Sequence, residues 1–132
     1  MKNIIDVIKG LSNLFSLKPA TQSEIEKAEN NLGLKLAKDY KAYIAEFGAI
    51  MADGIELSGI SKSQRLNVVD MTKQEWELNP KVPHTLYVVE NCAIDGIIIW
   101  QDEKGLIYQS QPNVEPKKIA KSLSEYVSSR AK

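Results

Sequence analysis

The chain has 132 residues, 43% apolar and 26% charged, the size and make-up of a globular domain that buries roughly two-thirds of its surface without help from disulfides or metal. Seventeen basic residues offset seventeen acidic ones, which excludes a strongly basic nucleic-acid binder and a heavily acidic nucleic-acid mimic. One cysteine and one histidine exclude an internal disulfide and a structural zinc site.

The chain opens with Ile4, Ile8, Leu11 and Phe15 at spacings of four, three and four, one stripe of an amphipathic helix within residues 1–20. Asp6 and Lys9 interrupt this stretch and no small-residue cleavage site follows, so it does not read as a secretory leader. No window is apolar enough for a membrane helix, and the expected location is the cytoplasm, with no membrane contact. Residues 21–48 predict a helical hairpin. Thr21 and Glu24 have capping-box spacing, Ile25, Ala28 and Leu32 form an apolar face, and Gly33 suits a left-handed helix end. The second helix carries Tyr40, Tyr43, Ile44 and Phe47 and closes at Gly48.

Residues 49–110 predict a sheet with an inserted helix. Ile55 and Leu57 suggest a short strand, and Asn67 through Leu78 reads as the helix, stopped by Asn79-Pro80. Thr85–Glu90, Gly96–Gln101 and Leu106–Ser110 are rich in β-branched and aromatic residues. The run Ile97-Ile98-Ile99-Trp100 suggests a central strand buried on both faces, with Trp100 in the core. Asp102 to Gly105 has hairpin-turn composition. Residues 116–131, with Ile119, Leu123, Tyr126 and Val127, predict a closing helix. Residues 1–132 therefore read as one α+β domain, a single antiparallel sheet of about four to six strands with helices packed on it.

Catalytic patterns are missing from this reading. Cys92 and His84 stand eight apart at either end of a predicted strand, held roughly 26 Å apart if extended, too far for a dyad. No serine sits in a Gly-x-Ser-x-Gly elbow, and the glycines at 48, 54, 59, 96 and 105 read as caps and turns, not as a phosphate cradle. Glu90, Asp95 and Asp102 bracket the predicted strands and are the one carboxylate set that could serve acid–base chemistry or a hard cation. Acidic residues at strand ends are more often turn formers and edge guards. No metal or cofactor is expected.

Charge is unevenly spread. Residues 49–110 hold nine acidic side chains against five basic, while residues 111–132 hold two against five. The acidic middle is either a solvated surface or a face that steers a basic protein partner. On the second reading the contact residues are Asp53, Glu56, Asp70, Glu75, Glu77, Asp95 and Asp102, with Trp76 as an aromatic anchor.

One further pattern carries a resemblance. The stretch Glu24-Ile25-x-x-Ala28-Glu29-x-x-Leu32-Gly33-Leu34-x-Leu36-Ala37-x-x-Tyr40-x-x-Tyr43-x-x-Glu46-Phe47-Gly48 resembles the opening signature of the SUKH superfamily, which includes bacterial toxin-immunity proteins and fungal Smi/Knr cell-wall regulators. Val82-Pro83-x-x-Leu86-x-Val88-Val89, Asp95-Gly96-Ile97-Ile98-Ile99-Trp100 and the segment around Leu123-Tyr126-Val127 continue it. Ala37 stands where the family usually has proline, and Phe47-Gly48 replaces the commoner Asn-Gly. The resemblance implies a non-enzymatic protein that binds and occludes a cognate toxin domain, a nuclease being one such target, without binding nucleic acid itself. The alternative it implies is a regulatory scaffold acting on a cellular enzyme. Either would work as a monomer or a weak homodimer. Glu24, Glu29, Tyr40 and Gly48 match as fold residues, and no binding residue carries over.

Overall fold

A computed structural model describes residues 3–131; Met1, Lys2 and Lys132 lie outside it. In chain order the elements are α1 (Ile4–Lys9), β1 (Phe15–Ser16), α2 (Gln22–Leu32), α3 (Lys38–Phe47), β2 (Ile50–Ala52), β3 (Ile55–Leu57), α4 (Val68–Leu78), β4 (Tyr87–Asn91), β5 (Ile98–Gln101), β6 (Ile107–Ser110), β7 (Lys117–Ala120) and α5 (Leu123–Arg130). The fold is α+β, as the sequence implies. Among the described residues its strands form two antiparallel sheets, β1–β2–β3 and β4–β5–β6–β7, where one sheet is expected. The sheets meet at Ser58, whose N–H donates to Val89 O (2.8 Å) and whose Oγ donates to Val88 O (2.7 Å).

The helical hairpin forms for the reasons its sequence suggests. Thr21 and Glu24 complete a reciprocal capping box on α2, and Gly33 ends that helix with φ 69°. Glu29 is nearly buried, and its Oε2 accepts from Leu36 N–H (2.9 Å), pinning the loop that turns the chain into α3. Ala37 precedes α3, outside its first turn, and its N–H donates to Tyr87 Oη (3.0 Å), a bond a proline would lack. Tyr40, Tyr43, Ile44 and Phe47 are all buried. The Tyr40 ring meets Tyr43 and Tyr87 edge-on, with centroids 5.6 and 5.0 Å apart.

The four-stranded sheet is covered on both faces. Tyr87, Val89, Ile99 and Ile107 join the larger cluster with α1, α3 and α5, while Val88, Ile98 and Trp100 pack with Met71 of α4, Val82 and Leu86. This is the physical content of the isoleucine run: all four residues of β5 are buried. Asn67 caps α4, its Oδ1 accepting from Val69 and Asp70 N–H.

Three local expectations give way. The opening helix spans six residues, and Phe15 lies in β1, 57% exposed, not in a helical stripe. The closing helix begins at Leu123, because Lys117–Ala120 pairs with β6 as a strand and leaves Ile119 exposed. Gly59 is neither cap nor turn. A Cβ there would lie 1.8 Å from Gly48 O, so the backbone of residue 59 runs directly against that of residue 48. Gly48 itself closes α3 with φ 74° and faces Lys18 O in the same way.

Candidate functional site

The most elaborate polar site is built around Glu90, and a β-bulge creates it. In the β4–β5 pair Val88 lies opposite Trp100 and Glu90 opposite Ile99, leaving Val89 as the extra residue. Directly opposed residues of an antiparallel pair share a face. Without the bulge, alternation would put Glu90 on the α4 side with Val88; the extra residue re-aims it toward α5. There its carboxylate is 1% exposed and accepts from Tyr126 Oη, Arg130 Nε (3.2 Å), Arg130 Nη2 (2.9 Å) and Glu56 N–H (3.0 Å). Arg130 Nη2 also donates to Gly54 O (2.6 Å), so one guanidinium ties the last helix to both sheets.

The electrostatics are those of a satisfied ion pair. The bond to Glu90 holds the Arg130 guanidinium far above its ordinary pKa, and burial together with the adjacent Glu90 charge pushes the Tyr126 phenol up. Burial, then Glu90, raises the Cys92 thiol as well, which makes it a poor nucleophile. Two clefts of about 220 and 370 Å³ flank Arg130 and share Ala52 and Ile55. A larger cleft of about 820 Å³ lies elsewhere, between the α2–α3 loop, His84-Thr85 and the β5–β6 turn.

The expected contact residues fall in several places. Asp53 and Glu56 line the clefts beside Arg130; Asp53 accepts from the Asn13 side chain (2.8 and 3.0 Å), and Glu56 is paired with Arg65. Asp70 sits in the first turn of α4, on a cleft shared with α2. Glu75 is 9% exposed and bonded by Asn79 Nδ2 (3.1 Å); burial raises its pKa, while Glu77 beside it is exposed. Trp76 is half-buried, its Nε1–H donates to Leu86 O (3.0 Å), and its ring stacks on His84 at 4.1 Å. Through His84 it adjoins the cleft of about 820 Å³, which Asp102 also lines.

Asp102 serves its own turn, accepting from Lys104 N–H, Leu106 N–H and Tyr108 Oη. Asp95 stands alone at the other end of β5, on a left-handed residue with φ 54°. Glu90, Asp95 and Asp102 therefore share no cleft, and no group of three or more potential metal ligands occurs among the described residues. Cys92 and His84 flank β4 at its two ends. Sequence reasoning missed Arg130 and Tyr126 as partners of Glu90, since 40 and 36 positions separate them and no local spacing announces a bulge.

The SUKH_5 family model, described as SMI1-KNR4 cell-wall, matches residues 1–132. The chain belongs to this SUKH family. A comparison with curated proteins gave no match. Membership supports a protein-binding role of the immunity or SMI1/KNR4 kind. Glu24, Glu29, Tyr40 and Gly48, which match the SUKH signature, have structural work: Glu24 caps, Glu29 pins a loop, Tyr40 Oη bonds Ser58 Oγ (2.8 Å), and Gly48 permits a close backbone approach. No helix among the described residues is long and apolar enough to cross a membrane.

Proposed function

We propose that this protein binds and occludes another protein, in the manner of an immunity protein that neutralises a toxin domain without chemistry of its own. The observation that carries the reading is the family match over the whole chain. The bonding of the two candidate carboxylates is consistent with it: Glu90 accepts from four donors and Asp102 from three, all within the chain. Acidic side chains of the middle segment would then face a basic target, and a nuclease cleft that binds phosphates is such a target. A regulatory scaffold acting on a cellular enzyme is the second reading, favoured by the cell-wall description of the matched family.

The test is capture of partners by the whole chain in its source cell, identification of what is retained, and affinity measurement at two salt concentrations. A toxin domain bound less tightly at high salt supports immunity; a housekeeping enzyme supports the scaffold. Joint reversal of Asp53, Glu56 and Glu77, leaving buried Glu75 in place, should weaken binding, and unchanged affinity would remove these three residues from the contact.

A further inference from the structure

We propose that the ledge formed by the β4–β5 and β6–β7 turns is the surface that meets the partner, and that the partner presents an apolar depression rimmed by basic side chains. This rests on the protein-binding reading above and names the surface it uses. Strands β5 and β6 pair with Ile98 opposite Ser110, so the two turns leave the sheet at the same end. They touch: a Cβ on Gly96 would lie 2.7 Å from Pro112 Cδ, which makes the turns one body. On it Ile94 is 60% and Val114 52% exposed, and neither belongs to a buried cluster, although turn residues are ordinarily polar. Ala93, Asp95 and Asn113 all adopt left-handed backbone, with φ of 57°, 54° and 61°. Asp95 and Asn113 tolerate that conformation as turn residues commonly do, and Ala93, which lacks a polar side chain to bond locally, is the unusual one of the three.

Charge selects the occupant. Within residues 91–97 and 110–116 the charged side chains are Asp95 and Glu115, with no basic residue. A second copy docked about a two-fold axis would bring these acids against their own equivalents. An anionic lipid surface would be repelled too. A basic-rimmed apolar pocket fits both features, with aliphatic anchors at the centre and complementary charge at the edge.

The test uses the full chain and the purified protein that the wild type retains from its source cell. The variants are I94S/V114S and D95K/E115K, with thermal melts run in parallel. Because both aliphatic side chains are exposed, the serine pair should melt like wild type yet bind at least tenfold more weakly. Charge reversal should also weaken binding and flatten its salt dependence. Wild-type affinity in both variants would overturn the ledge while leaving a protein-binding function intact. Sedimentation showing a dimer abolished by I94S/V114S would overturn the basic partner in favour of a second copy. If the wild type retains no specific protein, the protein-binding reading fails and the ledge with it.

Discussion

At the scale of single residues, Glu90 and Arg130 form a charge pair whose carboxylate is fully buried. Truncating one member of a buried pair strands the other, which typically costs 3–5 kcal/mol; Arg130 keeps about a third of its side chain in solvent, so R130M should cost about 2–4 kcal/mol. E90Q/R130M should be less destabilised than the two single losses added together, since neither variant residue is charged. Chemical denaturation of the four proteins measures this, and strict additivity would show that the two side chains are not coupled. Local spacing made Thr21, Glu24 and Gly33 legible as caps, because their partners lie within a few positions. It gave no hint of Tyr126 or Arg130, whose partner is reached only after the chain has folded.

Secondary-structure elements divide along the same line. Helices α2, α3 and α4 repeat an apolar face over ten or eleven residues each, enough for the period to be read. Alternation at Ile55 and Leu57 announced β3, but β1 and β2 have two or three residues and β7 carries two lysines and an exposed Ile119, so pairing alone defines those. Bulge and lysines on β7 also guard an open edge against a neighbouring chain. Gly59 belongs to this scale because it seats the β3–α4 connection on the end of α3. G59A should cost about 3 kcal/mol or more, since backbone must move. G54A, where φ is 72° but nothing stands within 4 Å, should cost about 1–2 kcal/mol. Equal losses in a melting comparison would contradict the close approach at residue 59.

For the whole molecule, the tyrosines set the alkaline limit. Burial raises the pKa values of Tyr40, Tyr43, Tyr87 and Tyr126; burial and the bond to Asp102 raise that of Tyr108 as well, but its ring is half-exposed and still reaches solvent in the folded chain. Above about pH 10 the unfolded chain ionises these four phenols while the folded one keeps them protonated, so unfolding releases protons. Stability should therefore be insensitive to them below that pH and fall by about 1.4 kcal/mol per pH unit for each phenol above it. Ultraviolet titration should find one tyrosine ionising in the native protein and four only as the fold is lost. Two or more titrating before unfolding would mean that the aromatic centre is open. The α+β class and the family were legible because apolar spacing encodes them. The distribution of the acidic residues over several surfaces was not, because charge counted along a chain carries no direction in space.

The bonding of Glu90 also orders events during synthesis. Its phenol and guanidinium partners are 36 and 40 positions further along, so a ribosome delivers the carboxylate well before the groups that neutralise it. A nascent chain halted ahead of residue 126 lacks the Tyr126 and Arg130 bonds to Glu90, and the sheets are then joined through Ser58 without the guanidinium that bridges them. Arrival of α5 supplies both partners at once and, through Arg130, adds the bond to Gly54 O that ties β4 to the β2–β3 turn.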